Sequence, residues 1–303
     1  MKEKTPFLSL LPDEAGRRVM IQTLRRHPTL QISSIGKSVL GRDIPLIRIG
    51  RGRRNILFVG AHHGMEWITA SLLFRFLDDV ATASARRGGT PDAPLPADTS
   101  LLAVPMLNPD GVELCLHGAR AGGILTPRLV RQSRGDFSAW QANARGVDLN
   151  HNYDAGFASY RTLERAAGIT GGGPTRYSGP YPFSEPETES LRRLLSFVRP
   201  VLTLTLHTQG QEIYYHKTDP PVPGAAEIGR TLATLTGYRL CEPEGMAAYG
   251  GLSDYIALAL GRPAFTLECG LGKNPLPQAD APRIYLRLRR ALLLSLCLAQ
   301  AAS

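Results

Sequence analysis

The segment 55–77, NILFVGAHHGMEWITASLLFRFL, places the tightest constraint on the fold. It opens on an apolar run of strand length, passes two adjacent histidines and a glutamate, and goes over to helical periodicity. A strand and a helix therefore meet at a polar corner. Two more apolar runs, PVLTLTL before His207 and RPAFTLE ending in Glu268, read as buried strands. Between them lie an alanine-rich helix near Ala225–Thr236 and a second helix over Leu252–Leu260. Strands alternating with helices specify an α/β fold, with helices on both faces of the sheet. At 303 residues such a chain is expected to form a single domain with one large core, spanning 1–303.

The remaining elements follow from local signals. Residues 13–26 have helical periodicity, and segment 1–28 is expected to pack as a helical addition on the domain. LQISSIG and DIPLIRIG read as two strands about a turn at Gly41 and Arg42. GKS at Gly36–Ser38 lacks the upstream glycine and following helix of a phosphate loop, so it reads as strand and turn. A Pro/Gly/Ala/Ser-rich loop, ATASARRGGTPDAPLPADTS, leads to the strand LLAVPML, which ends in a tight-turn cluster, Asn108 to Gly111. Residues 118–138 and the stretch GITGGGPTRYSGPYPF read as long ordered loops. Ser184 and Glu187 have capping-box spacing at a helix start, and 282–299 is an amphipathic helix.

Composition narrows the function classes. The formal charge is +9, from 35 Lys+Arg against 26 Asp+Glu, but basic groups such as RGRR at Arg51–Arg54 are scattered. Without a nucleic-acid motif or an aromatic-and-basic stripe, they read as a solvated surface, and no nucleic-acid partner is expected. No stretch is long enough to span a bilayer, and MKEKTPFLSLLPDEAGRR lacks the apolar region and cleavage site of a secretory signal. A cytoplasmic location without a membrane partner is expected. Cys115, Cys241, Cys269 and Cys297 are widely separated, with no CxxC pair, and read as reduced thiols.

In open α/β sheets ligands bind beyond the carboxyl ends of the strands. The residues that end the apolar runs here are His62 and His63, Asn108, His207 and Glu268. Two histidines and one carboxylate form a hydrolytic zinc set that leaves a position open for water. A His and a Glu three residues apart are weak evidence alone, but their joint placement with His207 and Glu268 points to a metal-dependent hydrolase.

These residues resemble the zinc carboxypeptidases, the funnelin-type M14 metallopeptidases. HGMEWIT is similar to that family's H-x-x-E-W-I-T element, which implies His63 and Glu66 as metal ligands and leaves His62 aside. LHTQG implies His207 as the third ligand of one zinc per chain, and FTLE implies Glu268 as general base. WQANARGVDLN resembles the segment whose arginine polarises the scissile carbonyl and whose asparagine holds the substrate carboxylate, implying Arg145 and Asn150. The resemblance runs from about Ile32 to the final helix and implies a zinc carboxypeptidase-like fold, a mixed, mostly parallel twisted sheet.

Within the family, VPMLNPDGVEL, GPYPFSEPE, HTQGQEIYY and GKNPLP resemble the bacterial branch that cleaves γ-D-glutamyl bonds to meso-diaminopimelate in cell-wall peptides. A murein peptide is then the expected substrate. The pattern departs at two places. An arginine usually follows the asparagine and anchors a C-terminal carboxylate, whereas here His151 does, without the guanidinium fork. Tyr249, in YGGLSDY, is the candidate capping tyrosine but falls off the family's usual position. The competing readings are a conventional C-terminal carboxypeptidase, an amidohydrolase of small acylated amino acids, and a non-catalytic wall-peptide-binding module. The last has no need for Glu268.

Overall fold

Ile56 and Phe58 pack on one side of the sheet and Leu57 and Val59 on the other, all fully buried, which is why NILFVG is apolar throughout. The computed structural model of the chain describes residues 6–85 and 95–298. In chain order the elements are α1 (Glu14–Leu24), β1 (Leu30–Lys37), β2 (Asp43–Ile49), β3 (Arg54–Gly60), α2 (Ile68–Ala85), β4 (Thr99–Val104), α3 (Pro109–His117) and α4 (Thr126–Ser133). They continue with α5 (Phe157–Ala166), α6 (Pro186–Val198), β5 (Leu202–His207), β6 (Glu212–Tyr214), α7 (Ala225–Thr236), β7 (Arg239–Cys241), α8 (Leu252–Leu260), β8 (Ala264–Glu268) and α9 (Ala281–Leu298).

The strands form one sheet in the order β1-β2-β4-β3-β5-β8-β6-β7. Its centre, β4-β3-β5-β8, is parallel, and antiparallel pairings flank it at β1-β2-β4 and at β8-β6. The sheet is therefore mixed, in a single-domain α/β fold. One face buries Phe58, Leu204 and Leu206 under Leu73 and Phe76 of α2, Ile228 and Leu232 of α7, and Leu288 and Leu292 of α9. The other face buries Leu57 and Val59 under Leu191 and Leu195 of α6 and Leu252 and Ile256 of α8. Truncating a core aromatic such as Phe58 to alanine costs about 3–5 kcal/mol, because the cavity adds to the lost transfer energy. At the N-terminal end, Asp13 caps α1 by accepting the Gly16 N–H at 2.8 Å, and Phe7, Met20 and Leu24 join the first core cluster.

Several local expectations are corrected. The Asn108–Gly111 cluster starts a helix: Asn108 accepts the Gly111 N–H at 2.8 Å and Pro109 occupies the first turn of α3. Residues 118–138 are not one long ordered loop, because a 3₁₀ segment (Gly118–Leu125) leads into α4. ATASA continues α2 to Ala85, while 86–94 of the same stretch lie outside the described residues. Ser184 and Glu187 form no capping box. The N-cap of α6 is Glu185, and Glu187 is drawn away to accept the Val39 N–H at 3.1 Å. Residue 299 of the final helix also lies outside the described residues, and no described helix is long and apolar enough to cross a membrane.

Candidate metal centre and active-site cleft

Three parallel strands end together at the polar corner. Gly60 pairs with Leu206, and His207 pairs with Glu268, so β3, β5 and β8 stop at one level. Beyond β3 the chain turns at Ala61, which holds a positive φ of 46°. Asn108 pins this turn: its N–H donates to Ala61 O at 3.0 Å, and its side-chain amide donates to His62 O at 3.0 Å and Ala142 O at 3.1 Å. Gly64 completes the approach. A Cβ there would lie 2.3 Å from Gly111 O and 2.7 Å from Trp140 O, so only glycine lets the histidine loop sit against both segments.

The loop delivers a compact donor set. His63 Nδ1 lies 2.9 Å from Glu66 Oε1, and His207 Nδ1 lies 3.0 Å from Glu66 Oε2. All three side chains are buried, and one ligand atom from each falls within 4.8 Å of the others. Glu66 Oε2 is buried without a hydrogen-bond partner, although a histidine nitrogen is beside it. Two imidazole nitrogens converging on one carboxylate are the donors zinc takes. The electrostatics agree with this fit. Burial opposes charge on His63, yet Glu66 and Asp148 on either side raise its pKa well above the ordinary imidazole value. The folded cluster favours a positive charge between its donors. Burial would raise the Glu66 carboxyl, but His63 and His207 hold it below its usual range.

Two residues outside the expected set support these donors. Asp148 Oδ1 lies 3.1 Å from His63 Nε2, and Asp148 is buried. Burial would raise its pKa, but His63 holds it well below the carboxylate range. Sequence reasoning passed over Asp148, although it stands two positions before Asn150 in VDLN, and a ring nitrogen facing away from a metal usually finds a carboxylate. His62 lies behind the cluster. Its ring stacks on His207 at 5.1 Å between centroids, and its Nε2 is 3.1 Å from Tyr153 OH. Burial, then His207 and His63, depress its pKa, so the ring is neutral.

A cleft of about 330 Å³ opens over the cluster, lined by His63, Glu66 and His207 together with Gln141, Asn150, His151 and Glu268. The Glu268 carboxyl is raised well above its ordinary value by burial and then by Glu66. Asn150 Oδ1 accepts the Leu252 N–H at 3.2 Å, which leaves the donor edge of the amide free of that bond. His151 is held by Tyr249 O at 2.9 Å from Nδ1 and by a stack on Tyr160 at 4.1 Å. A larger groove, about 600 Å³, lies between α1 and the β1-β2 hairpin and shares no lining residue with this cleft. Its buried arginine is already engaged, Arg17 donating to Asp43 O at 2.6 Å.

Two sequence expectations are not brought to this cleft. Arg145 is half-exposed, with its guanidinium 3.5 Å from Glu185 Oε2, and does not line the cleft. Its guanidinium faces Glu185, and Gln141 occupies the wall instead. Tyr249 likewise turns away. Its ring lies on Gly156, where a Cβ would come within 2.6 Å of Cδ1, and only its carbonyl serves the site, through His151.

With this geometry in place, comparison with known proteins gives the family. Residues 17–284 match the model of the zinc carboxypeptidases. The chain belongs to the zinc carboxypeptidase family. A family member from Lysinibacillus sphaericus, gamma-D-glutamyl-L-diamino acid endopeptidase 1, is 35% identical over 265 residues, covering 86% of this chain and 65% of that relative. This chain therefore spans just under two thirds of that relative's length. Among solved structures, carboxypeptidase A from Helicoverpa armigera matches with a TM-score of 0.75 at 19% identity, covering 100% of this chain and 77% of that one. The murein-tripeptide amidase MpaA from Escherichia coli O157 matches with a TM-score of 0.54 at 24% identity, covering 88% and 92%. These two likenesses are likenesses of fold, and zinc dependence is a property of the family.

Proposed function

We propose that this chain hydrolyses the amide bond between a γ-D-glutamyl residue and meso-diaminopimelate in murein peptides, using one zinc ion held by His63, Glu66 and His207. The observation that carries a hydrolytic reading is the strand register: Glu268 stands opposite His207 at the ends of β8 and β5, beside a buried His-Glu-His donor set. Zinc bound there supplies a Lewis acid that polarises the amide carbonyl and makes water acidic near neutral pH. Glu268 takes the water proton and passes it to the departing amine. Asp148 orients His63, Gln141 presents its amide from the cleft wall, and Asn150 offers donors to a substrate carboxylate. The substrate assignment is supported by the activity for which the Lysinibacillus sphaericus relative is named, gamma-D-glutamyl-L-diamino acid endopeptidase. An ordinary C-terminal carboxypeptidase is disfavoured because His151, without the guanidinium fork, follows Asn150 in the cleft where that reading calls for an arginine.

The test is incubation of the zinc-loaded protein with L-Ala-γ-D-Glu-meso-diaminopimelate beside peptides ending in Lys, Arg or Phe, with products identified by mass. Release of diaminopimelate is expected, and Glu268→Gln should slow it by about a hundredfold to ten-thousandfold. Release of C-terminal residues from the ordinary peptides instead would replace this reading with the carboxypeptidase one.

A further inference from the structure

The cleft walls carry four carboxylates, Glu66, Glu212, Asp254 and Glu268, and no lysine or arginine. The substrate proposed above itself bears several carboxylates. Such a ligand needs a cationic partner within reach of the cleft.

The segment 174–177 is laced to the chain that forms one wall. Gln141 and Ala142 donate their N–H groups to Pro174 O at 2.9 and 3.0 Å, and Asp148 donates its N–H to Tyr177 O at 2.7 Å. Within this segment Arg176 is held from both sides: its N–H donates to Asp148 Oδ2 at 3.0 Å, and its carbonyl accepts the Tyr160 hydroxyl at 2.8 Å. Both neighbours lead to the cleft. The Thr175 hydroxyl bonds Gln141, and the Tyr160 ring stacks on His151, while Gln141 and His151 line the wall.

Arg176 has a left-handed backbone, φ 66°, which a non-glycine residue adopts at a cost and which clusters at ligand clamps. Its side chain is exposed and makes no hydrogen bond or ion pair among the described residues. Neighbouring arginines differ, since Arg145 and Arg161 are tied to Glu185 and Glu164. Arg176 does not itself line the cleft and stands one residue from Thr175, whose hydroxyl bonds the lining Gln141. Burial raises the Tyr160 phenol far above its ordinary pKa, Asp148 and Glu164 add to this, and Arg176 acts against it.

We propose that Arg176 is the specificity residue of this cleft, its guanidinium receiving a carboxylate of the substrate from the rim. The proposal rests on the murein-peptide reading above. The carboxylate belongs either to the D-glutamyl residue or to the diamino acid, and guanidinium chemistry serves both.

The experiment measures kcat/KM for wild type, Arg176→Gln and Arg176→Lys on three forms of the tripeptide. One has all carboxylates free, one has the D-glutamyl α-carboxylate amidated, and one has the distal diaminopimelate carboxylate amidated. Wild type should prefer the free acid over one amidated form by about tenfold to a hundredfold, the usual range for a charge-assisted contact. That preference should collapse toward unity in Arg176→Gln and be partly kept in Arg176→Lys, and the sensitive form names the carboxylate. Equal preference in wild type and Arg176→Gln overturns the proposal. Calorimetric binding of the same peptides separates the two readings. If wild type cleaves none of them at the γ bond, the murein reading fails. A binding preference for the free acid that Arg176→Gln loses then still supports the role of Arg176, and equal affinities for all forms overturn it.

Discussion

The carboxylate of Asp148 joins His63 of the donor set to Arg176, whose N–H it accepts at 3.0 Å through Oδ2. Its Oδ1 lies 3.1 Å from Nε2 of His63, so the ring nitrogen opposite Nδ1 has an anionic acceptor, and Nδ1 is left to face Glu66. An aspartate in this place fixes both the tautomer and the orientation of the ring. Asp148→Asn is expected to weaken zinc binding by about tenfold to a hundredfold, measured by competition with a chelator of known affinity. Unchanged affinity would show that packing against His207, not Asp148, holds the ring.

Removing Arg145 should matter little. Its contact with Glu185 is long and half-exposed, and such pairs contribute about 0–1 kcal/mol. Arg145→Ala should keep kcat/KM within about threefold, a change of less than 1 kcal/mol. Gln141 lines the cleft with its Oε1 engaged by Thr175, so the amide donors are its free edge. Gln141→Ala should lower kcat at least about tenfold, as loss of a donor to developing charge does. Steady-state kinetics on the same peptide checks both, and the opposite ranking would restore Arg145 to the reaction.

The buried carboxyl of Glu187 gives the fold a pH dependence away from the His-Glu-His donor set. Burial, then Asp110, push its pKa from 4.5 up to about 8. The folded chain thus holds this proton more tightly than the unfolded chain. Its stabilising contribution is complete below about pH 4.5 and is lost as pH rises through about 8, a change on the order of a few kcal/mol. Thermal unfolding should show that Glu187→Gln loses less stability than wild type between pH 5 and 9. Parallel curves would show that Glu187 ionises without consequence for folding.

Much of the site is legible in one dimension because its parts are local. His63 and Glu66 are three residues apart at a strand-to-helix corner, and His207 and Glu268 each end an apolar run. Periodicity marks the end of a buried strand, and parallel strands place their ends at one level. The helices Ala225–Thr236 and Leu252–Leu260 follow for the same reason. The three-residue strands β6 and β7 are too short to carry a period.

What the sequence by itself determined is therefore the class of sheet, the corner at His62–Glu66 and the donor types at the strand ends. The tertiary structure alone decided which polar groups those donors meet. Glu187 has the spacing of a helix cap but serves Val39, 148 residues away in the chain. The family resemblance implies Arg145 as the carbonyl-polarising residue, but its guanidinium faces Glu185, Tyr249 rests on Gly156, and Asp148 bridges His63 and Arg176. A buried charge or hydrogen-bonding group takes whichever partner the crossing segments bring within about 3 Å, and leaving it unpaired costs more than any local preference. Those crossings are set by how whole elements pack, over separations that no local spacing records.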